Sequence, residues 1–362
     1  MIPDIEVLTA RAASILSSIP AGLDLGEATA GLYGIGFLGR WALPRLRESG
    51  VNLVACYDAN PALHGTSVES VPVHPASKLK NAPPDFVFIS ARHAIKPVAA
   101  KLSDLGIGHV SYDAWYVARN FAAFRRIHDE TLIDDRSKVV LRAAVMAMLT
   151  SDDRYCAAVF EKDQYFCLPP FCGTHDESYV DAGAFAGDSV ERFIWAHNGL
   201  FSHIYAFEPG PRQFAALKAR TNRLIDEWAL DPASVTLVNA GLGETGGTVS
   251  AKSDHGQLTS FTIRNDTAAG PMVDVVNVDS ILQGKRISLL KADVEGMEMA
   301  LLKGARIAIQ SDKPKIAICV YHYPADIPEI TNYLAALVPD YRFAMRHHSP
   351  HLLETVLYAW TD

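Results

Sequence analysis

The chain has 362 residues, of which 49% are hydrophobic and 20% charged. That composition excludes a disordered chain and suits two α/β domains. Its 33 Lys and Arg against 41 Asp and Glu leave a net charge of −8, so no global positive field draws nucleic acid, and no such partner is expected.

The opening Met1-Ile2-Pro3-Asp4-Ile5-Glu6 lacks the basic start of a signal peptide. No apolar run approaches the ~20 residues of a membrane span. The five cysteines, Cys56, Cys156, Cys167, Cys172 and Cys319, are odd in number and scattered, unlike a disulfide framework. A cytoplasmic protein without a membrane span is the expectation.

A short amphipathic helix is predicted from Ile5 to Ile19. The first strong motif follows in Gly31-Leu32-Tyr33-Gly34-Ile35-Gly36-Phe37-Leu38-Gly39, where an apolar strand runs into Gly34-x-Gly36-x-x-Gly39. A helix is expected from Arg40 to Ser49 and a strand from Val51 to Tyr57, ending at Asp58. That acid stands about twenty residues beyond Gly39, the spacing of a dinucleotide fingerprint. Glycine lets the backbone approach a phosphate, the helix N-terminus offers free N–H groups, and the carboxylate can accept from a ribose hydroxyl. A further strand, Phe86 to Ser90, and its helix, Ile95 to Leu105, complete a module that closes near Trp115. Residues 1–118 are read as a Rossmann-like domain. Asp58-Ala59-Asn60-Pro61 and Gly65 make it similar to the Rossmann-like domains beside sugar-modifying enzymes. That resemblance implies a nucleotide or nucleotide-sugar at Gly34, Gly36, Gly39 and Asp58. An NAD(P)-dependent oxidoreductase site and a scaffold that has lost its ligand are the alternatives. No Lys/Tyr or Cys/His arrangement accompanies the module to support the former.

Residues 119–170 are read as a helical bridge. Phe121, Phe124, Ile127, Leu132, Val139, Leu141 and Val145 supply apolar faces for a helix from Asn120 to about Leu149, and Pro169-Pro170 ends the region.

Residues 171–362 form a second α/β module. Strands are expected at Ser178 to Ala182, His203 to Phe207, Val235 to Val238, Ile287 to Lys291 and Lys315 to Tyr321, with a terminal hairpin at Tyr341 to Met345 and Thr355 to Ala359. Ligands in an open α/β sheet sit at the carboxyl ends of strands, and Asp181, Glu208, Asn239, Asp293 and His322 all fall there. Asp181-x-Gly183-x-x-x-Gly187, paired with an acid ending the second strand, resembles S-adenosylmethionine-dependent methyltransferases. An NAD-binding turn and an ordinary strand–helix turn compete with that reading.

The match extends through Val180 to Asp188, Ile204 to Pro209, Val276 to Leu282, Leu290-Lys291-Ala292-Asp293-Val294-Glu295-Gly296-Met297-Glu298 and Leu302 to Ala305. It continues at Ile318 to His322, Arg346 to His348 and Glu354 to Ala359. Over Gln164 to Trp360 the chain resembles the FkbM-type methyltransferases. The resemblance implies a class I, seven-stranded, Rossmann-like methyltransferase fold that uses S-adenosylmethionine and methylates hydroxyls on sugars and natural products. It implies a cofactor site at Asp181, Gly183, Ala184, Gly187, Asp188, Glu208, Pro209, Asn239, Gly241 and Asp293. Small residues there admit the methionine portion, and Glu208 can hold both ribose hydroxyls. Ala182 and Ala186 depart from the usual turn, but both are small.

His322, Asp293 and Glu295 are the catalytic candidates. A neutral imidazole of pKa ~6.5 can take a hydroxyl proton that a carboxylate takes poorly, so His322 is assigned the base and Asp293 the orientation of the acceptor. Asp293 and Glu295 can equally serve a helix start, where acids are favoured. Glu298 is expected to be structural and Lys291 to pair with a carboxylate. Of His347 and His348, one ring is expected to face solvent and the other the site. Cys167-x4-Cys172 with His175 fits no common zinc spacing. A divalent ion between Asp293, Glu295 and a histidine is chemically allowed, yet nothing in the spacing establishes it, so no metal is assigned. The non-enzyme alternative is a nucleotide-sugar-binding protein with an inactive methyltransferase fold. The oligomeric state and the acceptor are not legible.

Overall fold

The computed structural model describes residues 2–252, 262–263 and 272–362. Asp4 begins the first helix, α1 (Ile5–Ser17), its carboxylate accepting from the backbone N–H groups of Glu6 and Val7. The N-terminal sheet follows, with β1 (Thr29–Tyr33), α2 (Phe37–Glu48), β2 (Asn52–Asp58), β3 (Ser67–Val68), β4 (Val71–Pro75), β5 (Phe86–Ile89), α3 (Ile95–Asp104) and β6 (Gly108–Ser111). Its order is β3-β4-β2-β1-β5-β6, and β3 is its antiparallel strand. Continuous apolar runs such as Phe86–Ile89 are buried throughout, as strands covered on both faces require. The turn after β1 needs its glycine: a Cβ on Gly39 would lie 2.0 Å from the Gly34 carbonyl oxygen.

The first module ends in α4 (Tyr112–Arg119), and the bridge contains α5 (Phe121–Arg126), α6 (Asp135–Thr150) and α7 (Arg154–Ala157). The single helix expected from Asn120 to Leu149 is interrupted. A π turn spans Ile127–Thr131, Leu132 is extended, and the Ile133 N–H donates to the Phe343 carbonyl at 3.0 Å. Asp134 then caps α6 by accepting from the Ser137 N–H. A tertiary strand contact and a capping carboxylate together outcompete helical continuity.

The second module comprises β7 (Ser178–Ala182), α8 (Asp188–Ala196), β8 (His203–Phe207), α9 (Pro211–Trp228) and β9 (Val235–Val238). There follow β10 (Gly241–Leu242), β11 (Gly247–Lys252), β12 (Thr262–Ile263), β13 (Met272–Val276) and α10 (Val278–Leu282). The rest is β14 (Leu289–Ala292), α11 (Glu298–Gly304), α12 (Arg306–Asp312), β15 (Lys315–Cys319), α13 (Asp326–Leu337), β16 (Arg342–His347) and β17 (Thr355–Trp360). The main sheet is seven-stranded in the order β16-β17-β15-β14-β7-β8-β9. It is parallel up to β15, and β17 pairs antiparallel with both β15 and β16. This is the class I methyltransferase arrangement. A smaller sheet, β10-β13-β11-β12, has no counterpart among the sequence expectations.

One apolar cluster joins Leu8 and Ala12 of α1, Val117 of α4, Phe124 of α5 and Val145 of α6 to Val180, Leu290, Ile318 and Phe343 of the main sheet. The first helix of the chain thus packs with the bridge helices on the second module. No helix among the described residues is long and apolar enough to cross a membrane.

Candidate active site

The carboxyl ends of both large sheets face one cavity of about 930 Å³. Gly34, Gly36, Phe37, Asp58 and Arg92 line it from the first module; Gly183, Asp188, Glu208, Gly241, Asp293 and His322 line it from the second. Strand-end clefts are where such sheets bind ligands.

On one side the β7 turn is built around close backbone approach. Gly183 has φ +77°, and a Cβ there would sit 1.9 Å from the Asp293 carbonyl oxygen, so β7 and β14 meet only because this residue is glycine. Glu208 ends β8 with its carboxylate accepting from the Phe185 N–H at 3.0 Å and the Gly210 N–H at 2.7 Å. Burial raises its pKa above the usual carboxylate value despite these bonds. Pro209 also lines the cavity. Asp181, Ala184, Gly187 and Asn239 stand behind the wall rather than in it. The Asn239 amide donates to the Glu208 and Pro209 carbonyls. Gly187, at φ +83°, starts α8.

Asp181 is fully buried and pairs with Lys291 at 3.1 Å while accepting from the Ser189 hydroxyl at 2.5 Å. Lys291 also donates to the Gly183 carbonyl at 2.6 Å. Burial opposes its charge, but the Asp181 and Asp293 carboxylates outweigh that and raise its pKa. This pair fixes the turn from beneath.

On the other side the three catalytic candidates come together. His322 Nε2 lies 3.7 Å from Asp293 Oδ1 and 3.6 Å from Glu295 Oε2, and its Nδ1 lies 3.1 Å from Glu298 Oε1. Burial works to lower the imidazole pKa, yet Glu298, Glu295 and Asp293 win and hold it well above the ordinary value. A base role for His322 works against this preference for the protonated ring. Glu295, at φ +53°, occupies a left-handed backbone conformation beside Gly296, a strained placement that aims its side chain at the cavity. Glu298 is buried, and its carboxylate accepts from the Val294 N–H at 2.9 Å.

Four cavity residues escaped the sequence reading. The Tyr165 hydroxyl donates to Asp293 Oδ2 at 3.1 Å, and that of Tyr321 donates to Oδ1 at 3.3 Å. Glu354 accepts from Tyr321 at 3.4 Å and from the Gln164 amide. Burial and the Asp293 charge keep both phenols neutral and raise the Glu354 pKa. Gln164 and Tyr165 belong to the bridge and Glu354 to the terminal hairpin; an acid immediately before an expected strand was the one available signal.

The two adjacent histidines do not divide as expected. His347 is fully buried between the Thr355 hydroxyl and the His351 carbonyl, and His348 contacts the Glu161 carbonyl and the Tyr358 hydroxyl. Neither lines the cavity, because β16 lies at the sheet edge beyond β17. Burial lowers both pKa values to about 4.

The first module supplies the cavity's opposite wall. Asp58 is engaged by its own loop, accepting from the Ile35 N–H at 2.7 Å and the Asn60 N–H at 2.8 Å. Arg92 makes a bidentate pair with Asp113 at 2.9 Å and reaches across to donate to the Tyr321 and His322 carbonyls. Tyr323 stacks with Phe37 and Trp41, at ring separations of 4.8 and 4.4 Å. The glycine turn of the first module is thereby docked on the loop that carries His322.

Residues 172–343 match the family model of the Methyltransferase FkbM domain. No curated protein matches the chain. In fold, the chain is similar to the crystal structure of a Methyltransferase FkbM from Methylobacillus flagellatus KT. The identity there is 24%, 98% of each chain is covered and the TM-score is 0.60. It also matches an rRNA methylase from Streptococcus thermophilus at 12% identity, covering 58% of this chain and 93% of that one, with a TM-score of 0.32. Aeropyrum pernix fibrillarin, solved with natively bound S-adenosyl-L-methionine, matches at 13% identity over 53% of this chain and 68% of its own, with a TM-score of 0.33.

Proposed function

We propose, because residues 172–343 match the family model of the Methyltransferase FkbM domain, that the protein transfers a methyl group from S-adenosylmethionine to a hydroxyl of a saccharide, glycoconjugate or related natural product. The observation that carries this reading is the meeting of the Gly183 turn and Glu208 with Asp293, Glu295 and His322 on one cavity. A bound sulfonium donor supplies an activated methyl carbon, which bonds to the hydroxyl oxygen as the carbon–sulfur bond breaks and its electron pair stays on sulfur.

The remaining work belongs to this chain. Glu208 would accept from a ribose diol, and Gly183 and Gly241 line the cavity at the neighbouring strand ends. Asp293 is held between two phenols and orients the acceptor hydroxyl. His322, once neutral, receives the proton. Alignment and exclusion of water supply most of the acceleration such a transfer needs. The wall made by Phe37, Arg92 and their neighbours serves the acceptor. A nucleotide-sugar fits this reading because Gly36 is open, with nothing within 4 Å of a Cβ placed there. The five cysteines are free, which accords with a cytoplasmic setting.

Calorimetry with S-adenosylhomocysteine tests the proposal. Saturable binding is expected, weakened in Glu208→Ala. Folded protein that shows no binding would sink it, and binding of NAD in its place would favour an oxidoreductase.

A further inference from the structure

The acceptor-side wall gathers acidic side chains around His322. Asp293, Glu295 and Glu354 line the cavity, and Glu298 and Asp326 stand just behind. The nearby cations are otherwise engaged: Lys291 pairs with Asp181 and Arg92 with Asp113. Asp293, Glu298 and His322 bring ligand atoms within 4.8 Å of one another.

An acidic cluster alone would mean little, but His322 adds a separate observation. It is 4% exposed and lines the cavity, and neither ring nitrogen makes a well-directed hydrogen bond, although carboxylates stand 3.1–3.7 Å from them. Its Nε2 is directed at the gap between Asp293 and Glu295, at 3.7 and 3.6 Å. Ion–ligand bonds of ~2.1 Å place neighbouring ligand atoms ~3.0–3.4 Å apart, so Nε2 and each of these two carboxylates need to approach one another by a few tenths of an ångström. The other nitrogen, Nδ1, faces Glu298 at 3.1 Å, and Glu298 is itself fixed by the Val294 N–H. A ligating histidine commonly gives its second N–H to a carboxylate that sets its tautomer and tilt.

We propose that Asp293, Glu295 and Nε2 of His322 form a binding site for one divalent cation, oriented by Glu298. An imidazole among carboxylates favours a first-row ion such as Mn2+ or Zn2+ over Ca2+. Three protein ligands leave positions open toward the cavity, where two neighbouring hydroxyls can chelate. An ion-bound hydroxyl loses its proton more readily. In that state His322 ligates rather than receives the proton. The hydroxyl-activating role rests on the methyltransferase reading; the binding of the ion does not.

The test uses the full chain, stripped with a chelator and titrated with MnCl2 while electron paramagnetic resonance follows free Mn2+. One saturable site per chain is expected. Glu295→Gln and Asp293→Asn should each abolish or greatly weaken it, and Glu298→Gln should weaken it ~10–100-fold, as loss of an orienting partner does. Glu295 is partly exposed, so its variant keeps the fold and guards against misfolding as an explanation; unchanged melting temperatures check this. Absence of saturable binding, or the same affinity in wild type, Glu295→Gln and Asp293→Asn, overturns the proposal. Binding of S-adenosylhomocysteine without Mn2+ removes the ion and leaves the methyltransferase reading intact. Mn2+ binding without S-adenosylhomocysteine does the reverse.

Discussion

Single side chains bear on both the proposed donor contact and the acid sensitivity of the fold. Glu208 is buried at a strand end with backbone N–H groups on both oxygens. Glu208→Ala should cost ~1.5–3 kcal/mol of S-adenosylhomocysteine affinity, the worth of charged hydrogen bonds, read by calorimetry at unchanged secondary structure. His347 and His348 act on stability with a definite sign. Burial lowers their pKa values to about 4, whereas an unfolded histidine titrates near ~6.5. Between those values the unfolded state binds the extra protons, so stability falls as pH drops from about 6.5 toward 4. His322 works in the opposite direction. Its raised pKa makes a contribution fully present below about 6.5 and lost as pH rises through the folded value. His347→Gln should flatten the acid limb of a stability–pH curve by up to one proton, ~1.4 kcal/mol per pH unit. An unchanged slope in denaturant titrations would refute that assignment.

Two elements carry the site: the turn after β7 and the loop after β15. The first depends on Gly183, whose missing side chain admits the Asp293 carbonyl. Gly183→Ala combines a clash with a left-handed backbone and should lower the melting temperature by several degrees while abolishing S-adenosylhomocysteine binding. A variant with normal stability and normal affinity would contradict the close approach. The second element, Tyr321-His322-Tyr323, is held from outside its own module by Arg92 and by the stacking of Tyr323 on Phe37 and Trp41. Tyr323→Ala forfeits stacking worth ~0.5–1.5 kcal/mol beyond area burial and frees the loop that carries His322. Single-turnover methyl transfer should slow while S-adenosylhomocysteine affinity holds, because the proposed donor contacts at Gly183 and Glu208 follow other strands. Equal losses of both would place the loop in the donor site instead.

At the scale of the whole molecule, the two sheets share more than a linker. The cavity takes walls from both, and α1, α4, α5 and α6 bury their apolar faces in the cluster that backs the seven-stranded sheet. A fragment of residues 171–362 would therefore expose the surface that Leu8, Val117, Phe124 and Val145 cover. It is expected to bind a hydrophobic dye and to aggregate, which solubility and dye fluorescence would report. A monomeric, dye-silent fragment with full S-adenosylhomocysteine affinity would show the helices to be dispensable. The interruption of the long bridge helix belongs to this scale too, since the residue following Leu132 bonds to Phe343, more than two hundred positions away in sequence.

The sequence by itself determined the α/β class, the strands of the seven-stranded sheet and the glycine turns that follow β1 and β7. These are local patterns: apolar runs of strand length, glycines where a backbone must turn back, and acids where a strand gives way to a loop. It also named the residues whose chemistry now clusters, Asp293, Glu295 and His322, together with the structural part played by Glu298 and Lys291. Only the tertiary structure decided what those residues face. Asp58, read as a ribose acceptor, is bound by its own turn. Tyr165, Tyr321 and Arg92 carry no local mark of a site, because each gains its role from a partner on another element. The paired histidines turned inward because an edge strand buries residues against the loops that flank it. A chain pattern records which side of its own strand a residue occupies; where two sheets dock, and which strand ends then share a cavity, follows from packing between surfaces far apart in sequence.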